Sequence, residues 1–126
     1  MFHALVVDDH TGFRDSICAV LRKNFPQINV DEARNAREAL RSVRDCVTDL
    51  VLLDIKMPDG NGIELTKLIK TTYASITVII VTVYDLPQYR QAAVRNGADC
   101  FIYKGSKSCM NDILARVEGA ILAQRA

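Results

Sequence analysis

Apolar and polar positions along this chain alternate between two periods. The runs "HALVV" (3–7), "LVLL" (50–53), "ITVIIVT" (76–82) and "CFIY" (100–103) are nearly continuous in apolar residues, many of them β-branched. Such runs predict strands buried on both faces. The weaker run "INVDEA" (28–33) predicts one more, second along the chain. Between these runs, apolar residues recur at helical spacing. Phe13, Ile17, Val20, Leu21 and Phe25 form one stripe, ended by Pro26, and Ala36, Ala39, Leu40, Val43 and Val47 form another. "GIELTKLIKTTY" (62–73) predicts a third helix, opened by an Asp-Gly-Asn-Gly turn. "LPQYRQAAVRNG" (86–97) has Pro87 in its first turn and Gly97 just past its end, the asymmetry typical of a helix. Met110, Ile113, Leu114, Val117 and Ile121 make the stripe of the last helix.

Five strand–helix units with continuously apolar strands predict a parallel sheet covered by helices on both faces. The fold class is therefore α/β: a doubly wound, five-stranded parallel sheet. There is no internal repeat, low-complexity stretch or linker, so residues 1–126 are expected to form one domain.

Composition narrows the function. Sixteen basic and fifteen acidic side chains nearly balance, and no basic block occurs along the sequence. That argues against direct nucleic-acid binding by this chain and against a charged membrane-surface segment. No apolar run approaches the roughly 18 residues of a membrane span, and "MFHALVVDDH" has no signal-peptide pattern, so no membrane association and a cytoplasmic location are expected. Cys18, Cys46, Cys100 and Cys109 have unrelated spacings and no CxxC pair. They read as small apolar residues in a reducing compartment.

Candidate chemistry lies where the strands end. In open parallel sheets, ligands bind at the carboxyl ends of strands, where strand order reverses. The first strand ends in Asp8 and Asp9, the third in Asp54, the fourth in Thr82 and the fifth in Lys104; only the second lacks such an ending. Singly, each has an ordinary explanation: an acid between strand and helix caps the helix, a threonine belongs in a strand, a lysine is solvated. Together they put three acids, a hydroxyl and an ammonium at one sheet edge. Three carboxylates this close repel by about 4 kcal/mol per pair at an effective dielectric near 20. Lys104 answers one charge, and a divalent ion would answer two more. Oxygen donors without His or Cys select Mg²⁺ or a similar ion. His3 is at the other end of the first strand, and His10 reads as a helix-start residue.

In "VVDDH", "LVLLDIKMPDGNGIEL", "IIVT" and "NGADCFIYK", taken in order and at these separations, the whole chain resembles the receiver domain of two-component response regulators. The openings "VDDHTGFRDSI" and "NGADCFIYK" are most similar to receivers that precede a LuxR-type helix-turn-helix output domain. The resemblance implies a flavodoxin-like (βα)5 fold with strand order 2-1-3-4-5, an order for which a family member is itself a standard example. It implies that Asp54 is the phosphoacceptor. Asp9 and Asp54 would ligate Mg²⁺, Asp8 would hold a metal-bound water, and the backbone carbonyl of Lys56 would complete the set. Thr82 and Lys104 would contact the phosphoryl oxygens, and Phe101 matches the aromatic position that changes rotamer on activation. The implied partners are a cognate histidine kinase or phosphotransfer protein and, on phosphorylation, a second copy of the chain. The fourth helix, fifth strand and fifth helix form the family's usual output surface.

The chain departs from many family members in three places. Gly105 stands where a proline often follows the lysine, Val83 is larger than the small residue common after the threonine, and Tyr84 is bulky two positions beyond Thr82. The expected function is a phosphorylation-activated switch, with self-phosphorylation and autodephosphorylation as its only chemistry, controlling transcription through an output domain absent from this chain. Two alternatives stay open at this point: a stand-alone receiver acting by protein–protein contact, and a phosphohydrolase with an aspartyl nucleophile. The second is weakened by Lys56, which stands where such enzymes place another acid.

Overall fold

The computed structural model describes residues 1–125. Five strands, β1 (His3–Val7), β2 (Asn29–Ala33), β3 (Leu50–Leu53), β4 (Thr77–Thr82) and β5 (Cys100–Tyr103), alternate with five helices. The helices are α1 (Thr11–Asn24), α2 (Ala36–Asp45), α3 (Gly62–Thr72), α4 (Pro87–Arg95) and α5 (Cys109–Arg125). All neighbouring strands of the sheet are parallel and the order is β2-β1-β3-β4-β5, as expected.

The continuous apolar runs have a direct cause. Successive side chains of a strand point to opposite faces, so a strand covered on both sides needs apolar residues throughout. Ala4, Val6, Leu50, Leu52, Ile79 and Val81 face α1 and α5, packing against Ile17, Leu21, Ile113 and Val117. Leu5, Val7, Val51, Leu53, Val78 and Ile80 face the other way, against Ala39 of α2, Leu65 and Ile69 of α3, and Ala93 of α4.

Helix starts follow capping chemistry. His10 caps α1, its Nδ1 accepting from the Phe13 amide at 3.0 Å. The Asn35 side chain caps α2 through the Glu38 amide at 2.8 Å, and Asn61 caps α3 through Ile63 at 2.7 Å. Pro87 opens α4, which closes into Gly97 at φ +98°, a left-handed position that favours glycine.

Four details differ from the sequence reading. The α2 stripe stops short: Cys46 is extended, the helix ends at Asp45, and Val47 is 77 % exposed in the following loop. Leu40 also lies on the outer side of that helix, and Cys46 is exposed while Cys18 and Cys109 are buried. The turn after Asp54 is a small antiparallel hairpin, Lys56–Met57 against Gly60–Asn61. Among the described residues, no helix is long and apolar enough to cross a membrane.

Candidate functional site

Register builds the site. Val7 pairs with Leu53, so Asp8 and Asp54 emerge side by side from β1 and β3. The sheet extends past them, with the Asp8 amide bonding the Ala33 carbonyl at 3.1 Å and the Asp54 amide the Val7 carbonyl at 3.2 Å. Thr82 pairs with Tyr103 across β4 and β5, and the Lys104 amide donates to the Thr82 carbonyl at 2.8 Å. The order reverses between β1 and β3, with β2 outside, so the expected residues converge at the crevice such a reversal opens.

Asp8, Asp9 and Asp54 each place a carboxylate oxygen within 4.8 Å of the others. Asp8 and Asp54 are buried and Asp9 is exposed, so the cluster has one wet side. Lys104 Nζ lies 2.8 Å from Oδ2 of both Asp8 and Asp54. Burial pulls the Lys104 pKa down, but the hydrogen bonds and charges of Asp54 and Asp8 together outweigh it and hold the group above its ordinary value. The ammonium also sits over the Phe13 ring, 4.4 Å from its centre, which adds a cation–π contact from α1.

Asp8 and Asp54 are oriented as well as paired. Asp54 Oδ1 accepts from the Ile55 amide at 2.7 Å, and Asp8 Oδ1 accepts from the His10 amide at 2.9 Å. Thr82 is fully buried and its hydroxyl accepts from the Tyr84 amide at 3.3 Å. Phe101 is half-buried beneath the Arg90 guanidinium, 4.6 Å from the ring centre, and Arg90 in turn pairs with Asp85 in the β4–α4 loop. Lys56 stands exposed on the hairpin. Tyr84 is half-buried and meets Tyr89 edge-on at 5.8 Å, while Val83 is 57 % exposed.

Two site-shaping residues escaped the sequence reading. The Gly62 amide donates to the Ile55 carbonyl at 2.6 Å, folding the hairpin back over the site. A Cβ at position 62 would lie 2.0 Å from the Asp54 carbonyl oxygen and 2.7 Å from Leu53 Cδ1, so only glycine lets α3 start this close to Asp54. Arg14 is the other. It is buried, with Nη1 donating to the Asp8 backbone carbonyl at 2.7 Å and Nε to Glu32 at 3.1 Å. Its sequence signal was present: positions 14, 17, 18 and 21 form one helical stripe, and the other three are Ile, Cys and Leu.

Comparison with known proteins agrees with the fold. Residues 4–118 match the response regulator receiver domain family. The transcriptional regulatory protein LnrK of Bacillus subtilis (strain 168) is 30 % identical over 104 residues, covering 82 % of this chain and 47 % of LnrK. A CheY-like receiver domain protein from Methanospirillum hungatei JF-1 superposes with a TM-score of 0.88 at 29 % identity, over 99 % of this chain and 97 % of that one. Response regulator TrrA of Thermotoga maritima, solved in complex with Mg²⁺-BeF, gives a TM-score of 0.83 at 28 % identity, covering 95 % and 99 %. This chain belongs to the receiver domain family of two-component response regulators, which is not a classical enzyme family. It spans about half the length of the curated relatives it matches first.

Proposed function

We propose that this chain is a phosphorylation-activated switch in which Asp54 accepts a phosphoryl group from a histidine kinase or phosphotransfer protein. The observation that carries the reading is the pairing of a buried Asp54 with Lys104 beside two further acids, at the end of three parallel strands. An Asp54 carboxylate oxygen attacks phosphorus and forms an acyl phosphate, while the P–N bond to the donor imidazole breaks and its electron pair returns to the ring nitrogen. The bonds from Ile55 and Lys104 hold both carboxylate oxygens, so the nucleophile is presented in one orientation.

Three carboxylates and one ammonium leave a formal charge of −2, and hard oxygen donors with one side open to water fit Mg²⁺, which retains several waters when bound. Asp8, Asp9, Asp54 and the Lys56 backbone carbonyl would hold the ion. Bound there, Mg²⁺ supplies charge stabilisation to the phosphoryl oxygens.

Phosphorylation takes the local charge of Asp54 from about −1 to about −2. Lys104 already faces that side chain, and Thr82 offers a hydroxyl at the end of the neighbouring strand. Both are carried by β4 and β5 or their ends, so answering the new charge shifts the β4–α4 loop and with it Phe101 and Arg90. The output is control of transcription through a domain outside this chain, with a second phosphorylated copy as the partner. The test is direct. Acetyl phosphate with Mg²⁺ should add one phosphoryl group by intact mass, and Asp54→Asn should abolish the addition. Equal labelling of the variant would remove Asp54 from the role.

A further inference from the structure

Five polar or charged residues are buried among those described: Asp8, Arg14, Asp54, Thr66 and Thr82. Asp8, Asp54 and Thr82 belong to the site, and Thr66 bonds back to the Gly62 carbonyl at 2.7 Å within its own helix. Arg14 is left. A guanidinium is taken out of water at a cost unless its donors are well answered, and this one is answered at two specific places. Nη1 meets the Asp8 carbonyl at 2.7 Å, and Nε meets Glu32 on edge strand β2 at 3.1 Å. Glu32 is also 3.7 Å from Arg22, which in turn donates to the Val30 carbonyl at 3.0 Å.

The Asp8 carbonyl begins the peptide that leads to Asp9, the exposed member of the acid cluster. Asp8 itself is fixed from three sides: its amide on Ala33, its side chain on His10 and Lys104, its carbonyl on Arg14. Asp9 has no ion pair among the described residues, so its aim is set by the backbone before it.

We propose that Arg14 is a positioning residue for the cation site, clamping the Asp8–Asp9 arm to β2 so that the Asp9 carboxylate points into the cluster. The proposal rests on the reading that the cluster holds Mg²⁺. Groups of this kind, which orient ligands without touching the metal, alter affinity by roughly 10–100-fold when lost. Charge and position are separable here. Removing the guanidinium charge alone makes the site more negative and favours a cation, whereas Arg14→Lys keeps the charge and loses the two-pronged geometry.

The chain has no tryptophan, so Mg²⁺ affinity is read from amide shifts of ¹⁵N-labelled protein without phosphodonor. Arg14→Lys should raise the Mg²⁺ dissociation constant about tenfold and speed hydrogen exchange of the His10 amide. Acetyl phosphate labelling should half-saturate at higher Mg²⁺ yet reach the wild-type maximal rate. Arg22→Gln, which disturbs the same acid away from Asp8, should leave the dissociation constant within about twofold. A less stable Arg14→Lys with unchanged Mg²⁺ affinity would make Arg14 purely structural, and an equal rise in Arg22→Gln would trace the effect to a general loosening around Glu32 rather than to the grip on Asp8; either overturns the proposal. Should Arg14→Lys not fold, Glu32→Gln decides on a half-exposed side chain, with at least about a threefold rise expected and no change refuting. If wild type itself binds no Mg²⁺, the cation reading fails, and His10 exchange in the same variants still decides whether Arg14 holds the arm.

Discussion

Lys104→Met is the most informative single change, because its size depends on Mg²⁺. In the native chain one ammonium stands 2.8 Å from two buried carboxylates. At that distance each pair attracts by about 6 kcal/mol at an effective dielectric near 20, most of it offset by desolvation of the three groups. Removing the cation leaves Asp8 and Asp54, 2 % and 7 % exposed, facing one another and Asp9. Breaking a buried pair from one side costs about 3–5 kcal/mol, here roughly 10–20 °C in Tm. The formal charge of the cluster falls to −3, so Mg²⁺ binds the variant more tightly and stabilises it more than wild type; at a hundred times the dissociation constant the gain is about 2.7 kcal/mol. The pH dependence has a defined sign as well. The Lys104 pKa is raised in the folded chain, so its contribution is complete below the ordinary lysine value of about 10.4 and disappears as pH climbs through the higher folded value. Urea unfolding of both proteins at pH 7, with a chelator and with Mg²⁺, makes the comparison. Equal stability in chelator, or an equal Mg²⁺ increment in the two proteins, would refute the reasoning.

Other consequences follow from particular contacts. Gly62→Ala forces a Cβ against the Asp54 carbonyl, and should cost at least about 1–3 kcal/mol in urea unfolding while slowing acetyl phosphate labelling; wild-type values in both would mean α3 can shift freely. Burial, aided by the Glu32 charge, raises the Cys18 thiol to about 11, so at pH 8 roughly one molecule in a thousand carries that thiolate. Exposed Cys46 should therefore react with a disulfide reagent first and Cys18 only on unfolding, as read by peptide mapping. Val83 and Tyr84 follow Thr82 in the chain, Tyr84 meeting Tyr89 edge-on, and the family resemblance puts them beside the path of water to the phosphoryl group. If they restrict water, phosphorylated Val83→Ala should decay about tenfold faster, equivalent to ~1.4 kcal/mol of barrier, and identical first-order decay in wild type, Val83→Ala and Tyr84→Ala would show that they do not.

Much of this was legible in the sequence, for identifiable reasons. The strands were readable because burial on both faces removes polar residues from runs such as Leu50–Leu53. The acids, Thr82 and Lys104 were readable because each directly follows or ends such a run. The end of α2 was not, since Val47 continues the apolar period although the backbone has already turned extended at Cys46. The hairpin at 56–61 was hidden because backbone hydrogen bonds, among them Gly62 to Ile55, create it rather than any side-chain pattern. Lys104 was readable as a counter-charge, but its sharing between Asp8 and Asp54 depends on packing above Phe13. Arg14 was overlooked because an arginine on a helix is ordinarily solvated, and only the fold shows that its stripe faces the core.

The claim that Asp54 is the covalent acceptor is tested most directly by trapping. Protein treated with acetyl phosphate and Mg²⁺ is reduced with borohydride, which converts an acyl phosphate into an alcohol and leaves free carboxylates intact. Peptide sequencing by mass should then find homoserine at position 54, dependent on Mg²⁺ and absent from Asp54→Asn. Homoserine at position 8 or 9, or label that survives in Asp54→Asn, would contradict the account.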